Sequence, residues 1–515
     1  MSRSDILLST LNSSFKHAAF GLRYLFANLG PLKNNASILE FTTKCNPREI
    51  AETILSRSPR ILGLGVYIWN TDETLRLARI LKSLEPNLIL VLGGPEVSYE
   101  AKDQPLVALA DYVIQGEADL EFAELCRDLL NGERPTKKIW TAPLPEIERI
   151  AFPYDEYSPN DISHRVIYVE ASRGCPYRCE YCLSSLDQKV RTFSLDLFLL
   201  EMKKLLDRGV RQFKFIDRTF NLNAKTCQQI LDFFLDHIDL GLFLHFEMVP
   251  DRLPEEIRQR IARFPAGSLQ FEIGVQTLNP DVARLVSRRT DLEKMRSNFE
   301  FLREQTRVHT HADLIVGLPG EDLASFAQGF NQLFKLRPDE IQIGHLKRLK
   351  GTPIIRHESS YQMVFQDYPP FQILKTKQMS FAEIQFLVRF AKFWDLLYNS
   401  GEFPRSMTRI LQGDNPFENF SKLTEFCSTR FPNYQNGVAL LNLVQALFDF
   451  LIESHLPEET VAKDLHEDYT QGGRRSPPQF LRRFVDSTRP WSSPGSTPRR
   501  QRTHLEHSAS VLMSK

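Results

Sequence analysis

Cys175, Cys179 and Cys182 stand close together in ASRGCPYRCEYCLSS (171–185), at the end of an apolar run, with no fourth cysteine nearby. Thiolates are soft ligands that suit zinc, copper(I) or iron–sulfur centres. A structural zinc site takes four ligands, and the nearest histidines, His164 and His237, stand at no metal-ligand spacing from the cysteines. A [4Fe–4S] cluster on three cysteines keeps one iron without a protein ligand, open to a small molecule. The incomplete set therefore points to a cluster with a working position. A zinc knuckle is the competing reading.

Such a loop needs elements that hold it. VIYVEA (166–171) precedes it and is the first of six predicted strands, the others being QFKFI, LFLHFEM, SLQFEIGV, THADLIV and EIQIGHL. Helical spacing intervenes in SLDLFLLEMKKLLDRG, AKTCQQILDFFLDHI and LASFAQGFNQLFKL. Six strand–helix repeats over residues 166–356 predict a partial, TIM-like (β/α)6 barrel, short of the usual eight. Polar segments recur at its carboxyl-terminal strand ends: DRTFN, EMVPDR, EIGVQT, GLPGE and KRLKGTP.

An earlier alternation fills residues 1–140. Its strands are DILLSTL, ASILEFT, RILGLGVYI, NLILVLGG and DYVIQG, with helices such as HAAFGLRYLFANL and TDETLRLARILKSL. This predicts an α/β, Rossmann-like parallel sheet with ligand contacts beyond its carboxyl ends, in GVYIWN, GGPEVSYE and QGEAD. The Pro- and charge-rich stretch 141–165 reads as a linker. Residues 357–470 read as a helical C-terminal domain, and the Pro-, Ser- and Arg-rich stretch 471–515 as a disordered tail.

Composition narrows the classes. The 515 residues carry 64 basic and 64 acidic side chains, so charge gives no case for nucleic acid. No window offers a membrane span, and the start shows no export signal. Seven cysteines are too few for a disulfide framework. A reducing cytoplasm is the expected location.

CPYRCEYC, with spacing C-x3-C-x2-C and an aromatic before the last cysteine, resembles the signature of the radical S-adenosylmethionine (SAM) superfamily. The resemblance implies that Cys175, Cys179 and Cys182 hold a [4Fe–4S] cluster whose open iron binds SAM. It implies reductive cleavage of SAM to methionine and a 5′-deoxyadenosyl radical. On the same resemblance, Asp217 ends the second strand facing SAM, although the family's commoner acidic pair is Asp217 followed by Arg218 here. Glu247, Glu272 and Gln276 resemble contacts to the ribose or amino-acid part. Val316, in HADLIVGLPGE, resembles the segment along adenine, and Tyr181 the aromatic whose backbone meets the adenine edge.

A Rossmann-like sheet before such a barrel resembles the cobalamin-binding class of that superfamily, in a subgroup with an uncharacterised helical C-terminal domain. The resemblance places cobalamin against Tyr67, Trp69, Gly93, Gly94 and Glu96. The D-x-H-x-x-G signature of other cobalamin proteins is missing, and His17 in FKHAAFG lacks both its Asp and its spacing, so no histidine is expected on cobalt. The implied activity is a cobalamin-dependent methyltransferase acting on an unactivated carbon of an unidentified small molecule or peptide. A reductant such as flavodoxin or ferredoxin is implied with it. Alternatives are a radical SAM rearrangement or cyclisation without methyl transfer, and a non-enzymatic cofactor-binding sensor. Methylthiotransferases hold a second cluster on three N-terminal cysteines, whereas this chain has only Cys45 and Cys126 there.

Overall fold

The computed structural model describes residues 4–470 and 478–484. Most of the expected tail from residue 471 lies outside the described residues.

The first sheet contains β1 (Ile6–Asn12), β2 (Ala36–Thr42), β3 (Ile61–Gly65), β4 (Ile89–Gly93), β5 (Tyr112–Gln115) and β6 (Ile139–Thr141). They are ordered β2-β1-β3-β4-β5-β6, and all neighbours are parallel. Helices cover both faces, so β1 is buried at every residue. Helix Thr71–Leu84 shows why: Thr74, Leu77, Ala78 and Leu81 recur at helical spacing and are buried, while Asp72 and Glu73 favour its positive first turn.

The second sheet begins with β7 (Ile167–Val169). An antiparallel pair follows, β8 (Ser172–Arg173) with β9 (Arg191–Thr192), and brackets the cysteine loop. Then come β10 (Gln212–Phe215), β11 (Phe243–Met248), β12 (Leu269–Gln276), β13 (His309–Val316) and β14 (Glu340–His345), in the order β14-β13-β12-β11-β10-β7. These six parallel strands are the predicted partial barrel. Alternation sorts their side chains. Phe213, Phe215, Leu244, Phe246, Phe271 and Ile273 are buried in the apolar core. Lys214, His245, Glu247, Glu272 and Asp313 alternate with them and remain partly accessible. Register then sets Lys214 beside His245, Glu247 beside Glu272 and Gly274 beside Asp313.

The linker expectation for 141–165 is corrected by packing. Tyr154 and Tyr157 are each 1% exposed and belong to the barrel core. β7 is an edge strand, and the two phenols take the place of a missing neighbour. Tyr157 Oη donates to Tyr168 O (2.8 Å) and accepts from Tyr168 N (3.1 Å). Tyr154 Oη does the same with Glu170 O and N. This satisfies backbone groups that would otherwise be buried without partners. The same stretch supplies Asp161 to a buried ion cluster: Arg23 binds Glu40 and Asp161 (both 2.9 Å), and Arg165 binds Glu40 (2.6 Å). His17 pairs with Val166 as a parallel bridge, so N-terminal backbone extends the barrel sheet.

Beyond β14, the region expected to be helical opens with an antiparallel ribbon, β15 (Val364–Phe365) with β16 (Ile373–Lys375). Helix Phe381–Trp394 follows, started by a Ser380/Glu383 capping box. Its Leu387, Phe390, Phe393 and Trp394 are fully buried in the same core as the barrel, with Trp394 4.8 Å from Phe330 between ring centroids. The C-terminal helices thus thicken the barrel wall. No helix among the described residues is long and apolar enough to cross a membrane.

Candidate active site

The cysteine loop is pinned on every side. Gly174 has φ +90°, and a Cβ there would lie 2.4 Å from Lys189 O, so only glycine lets the chain turn off β8. Cys175 N donates to Asp187 O (2.9 Å) and Cys182 N to Cys179 O (3.0 Å). Glu180, between two cysteines, is 2% exposed. It accepts from Ser287 Oγ (2.5 Å), His357 Nε2 (2.9 Å) and Arg356.

All three cysteines line one cavity of about 250 Å³ at the barrel mouth, with Tyr181, Glu247, Glu272 and Gln276. Among the described residues, no three Cys, His, Asp or Glu groups are spaced to grip a single metal ion. Three soft thiolates facing one space are the donor chemistry that suits an iron–sulfur cluster with one open iron. Charge in the walls is mixed. Arg218 forks onto Glu247 at 2.9 and 3.2 Å. Burial would raise the Glu272 carboxyl, but His245 Nε2 at 3.0 Å and Lys214 at 3.6 Å pull it down to about 2. Asp313 is pushed well above the usual carboxylate range by burial and by Glu272 and Glu247. Anionic and cationic groups facing one space suit a ligand carrying an ammonium, a sulfonium and a carboxylate. Gln276 has φ +71° beside a break in register at Gly274/Gln276, an uncommon backbone state for a residue other than glycine, and one typical of functional sites.

Two residues expected at SAM lie elsewhere. Asp217 is 2% exposed and sits beneath β8, accepting from Ala171 N (3.0 Å) and Ser172 Oγ (2.6 Å). Burial raises its carboxyl to about 7. Its neighbour Arg218 reaches the cavity instead. Val316 is fully buried and does not line it. Sequence reasoning missed Arg288, which joins Cys179 Sγ (3.6 Å), Tyr181 Oη (3.3 Å) and Gly274 O. It also gave no role to Asp313; the alternation in HADLIV was the available signal.

A second cavity, of about 200 Å³, opens at the carboxyl ends of β3, β4 and β5 against helix Phe20–Ala27. Tyr67, Gly93 and Gly94 line it, whereas Trp69 and Glu96 do not. Trp69 stacks on Tyr67 at 4.6 Å, and Glu96 is paired with Lys350 (2.5 Å). Gly94 has φ +105°, and a Cβ there would strike Val66 O at 2.5 Å. A Cβ on Gly63, in the cavity wall, would meet Leu8 and Phe122 at 2.9 and 3.0 Å. Both glycines are thus required by close packing, and with Gly65, Gly93 and Gly116 also in the lining the slot has low-relief walls, which fit a flat ring system. Its lining holds no histidine. His17 points away, with Nδ1 2.6 Å from Tyr168 Oη.

Arg173 also lines this cavity, two residues before Cys175. Its guanidinium reaches Asp119, Glu117 and Glu170, and lies 4.4 Å from the Tyr24 ring centroid.

Comparisons with known proteins follow this division. Residues 8–126 match the B12 binding domain, 169–332 the radical SAM superfamily and 359–493 a protein family of unknown function, DUF4080. Residues 169–332 are thus a radical SAM domain, preceded by a B12 binding domain. The chain is 28% identical over 205 residues to an uncharacterized methyltransferase of Pyrococcus horikoshii, covering 34% of this chain and 43% of that one. It is 22% identical over 368 residues to the cobalamin-dependent radical SAM methyltransferase TokK of Streptomyces tokunonensis, covering 62% and 51%. The chain spans about half the length of the curated relatives it matches. Among solved structures, the cobalamin-dependent SAM radical enzyme OxsB, with aqua-cobalamin and SAM bound, superimposes with a TM-score of 0.60 at 13% identity, over 99% of this chain and 84% of that one. Cys45 and Cys126 pack against opposite faces of the first sheet.

Proposed function

We propose that this protein is a cobalamin-dependent radical SAM methyltransferase acting on an unactivated carbon. One observation carries the reading: Arg173 lines the N-terminal cavity while Cys175, two residues on, lines the barrel-mouth cavity. Two cavities therefore meet at one loop; TokK is a cobalamin-dependent relative, and OxsB, which shares the fold, is cobalamin-dependent too.

In this reading Cys175, Cys179 and Cys182 hold a [4Fe–4S] cluster, and Tyr181, Glu247, Glu272 and Gln276 surround SAM. The slot beside Tyr67, Gly93 and Gly94 holds cobalamin. When bound, the cluster supplies an electron for SAM cleavage and cobalamin supplies a methyl carrier. The chain's own work is placement. Arg288 sets a positive charge beside Cys179. Glu180 and Gly174 fix the loop, and Asp217 holds β8 beneath it. Glu247, restrained by Arg218, and Glu272, kept ionised by His245 and Lys214, present negative charge to a cationic ligand.

The test is anaerobic reconstitution, with iron, sulfide and cobalamin quantified together. Supplied with SAM and dithionite, the loaded protein should form both 5′-deoxyadenosine and S-adenosylhomocysteine, and only the former without cobalamin. 5′-Deoxyadenosine alone from cobalamin-loaded protein, with substrate converted, would replace methyl transfer by rearrangement. Stoichiometric zinc would remove both.

A further inference from the structure

A third concavity, of about 1110 Å³, flanks the cysteine loop. It shares Tyr177, Asp251, Arg288, Arg289 and Thr290 with the barrel-mouth cavity and nothing with the N-terminal one. It therefore adjoins the barrel-mouth cavity and does not open onto the proposed cobalamin slot. On the proposed function a substrate sits between the two cofactor cavities, which leaves this face to some other visitor.

Its charge is one-sided. Arg178, Arg252, Arg284, Arg288 and Arg289 line it, against Asp251 and Asp291. Both aspartates are engaged: Asp251 accepts from the Asp291 backbone N–H (2.8 Å), and Asp291 pairs with Lys294 (3.2 Å). Asp281 pairs with Arg284 at 3.0 Å, but both side chains are more than three-quarters exposed, where such pairing is weak. Arg178, Arg252, Arg284 and Arg289 are all exposed. This concentration of positive charge sits on a chain whose formal net charge is zero. Such a patch raises the encounter rate with an acidic partner and selects its orientation. The concavity also comes close to a thiol, because Arg288 in its wall lies 3.6 Å from Cys179 Sγ.

The geometry points to this arginine-lined concavity as the docking surface for an acidic one-electron carrier protein, the reductant that the proposed SAM cleavage needs. The inference rests on the radical SAM reading above. One electron leaves the carrier, which is oxidised by one equivalent. The centre held by the three cysteines is reduced by one, and no bond forms or breaks in this step.

The test uses flavodoxin, an acidic flavin protein, with the full-length reconstituted chain. Binding is measured by calorimetry at low and high salt. 5′-Deoxyadenosine formation is measured with reduced flavodoxin and, separately, with dithionite. The variants are Arg178→Glu with Arg284→Glu, and Arg284→Glu alone, whose exposed helical position tolerates change. The expected result is a flavodoxin Kd raised about tenfold or more in the double variant at low salt. The difference should collapse at high salt, where charges beyond about a Debye length are screened. Dithionite-driven cleavage should stay within about twofold of wild type, because a small chemical donor needs no docking surface. A Kd indifferent to both arginines and salt overturns the proposal. So does equal loss with both reductants at full iron content, which would make the concavity part of the SAM or substrate site. Binding of single-stranded RNA with the same arginine dependence, in place of flavodoxin, would make it a nucleic-acid surface and also end the proposal. Wild-type protein that binds flavodoxin but cleaves no SAM with dithionite would instead defeat the enzyme reading beneath it.

Discussion

Arg173 and Asp119 meet across the junction of the two sheets in a two-pronged contact, 2.9 and 3.0 Å long, one bond to each carboxylate oxygen. Arg173 is a β8 residue, and Asp119 follows β5. The contact ties the loop that carries the three cysteines to the carboxyl-terminal edge of the first sheet. Arg173→Met strands the carboxylates of Asp119, Glu117 and Glu170 and should cost about 3–5 kcal/mol. Arg173→Lys keeps the charge, loses the fork and should fall between. Denaturant unfolding checks both; values within about 1 kcal/mol of wild type would show the junction to be electrostatically idle.

Iron content separates the three clustered cysteines from the four others. Cys→Ala at position 175, 179 or 182 should reduce reconstituted iron from about four per chain to near none. Cys126→Ala and Cys427→Ala, both at buried apolar positions, should retain it. Colorimetric iron and sulfide determination decides the matter. A Cys179→Ala protein with full iron would refute the assignment.

His17→Ala should retain cobalamin, and the electron paramagnetic resonance of its reduced, cobalt(II) form should match wild type. His17 is held by Tyr168 and stands outside the lining of the cavity. Nitrogen coupling present in wild type and absent from the variant would place an imidazole on cobalt.

Stability should fall as pH rises from 5 to 8, partly through Glu321. This residue is 2% exposed, and burial raises its carboxyl from 4.5 to about 7 while Thr277 Oγ1 donates to it at 2.7 Å. The folded state holds the proton more tightly than the unfolded chain. Its contribution is therefore full below about 4.5 and is lost as pH passes through about 7. Across that window the loss is on the order of 2 kcal/mol. Glu321→Gln should flatten the profile by that amount, measured by urea unfolding at both pH values. An unchanged slope would show that Glu321 titrates normally.

Much of this was legible in the sequence, and the exceptions have physical reasons. Apolar alternation marked β10 to β14, because a strand with one face under helices must alternate. The cysteine spacing marked the loop. Asp217 was expected at the cavity and Arg218 left open, yet successive residues at a strand end point to opposite sides, and it is Arg218 that reaches inward. Arg173 and Arg288 were passed over because an isolated arginine in a sequence reads as a surface residue. Both are retained in the interior by carboxylates, carbonyls or a phenol that lie far away along the chain. The 141–165 stretch was read from its prolines and charges, while Tyr154 and Tyr157, which cap β7, were the informative residues.

The bridge between His17 and Val166, with the buried Arg23–Glu40–Arg165–Asp161 cluster beside it, leaves the two sheets no hinge at that seam. Backbone pairing and desolvated ion pairs would both have to break before one sheet could rock against the other. The seam thus holds the two cavities in register, and on the proposed function successive reactants would reach them by their own diffusion through the mouth, as at a stationary bench rather than on a swinging arm.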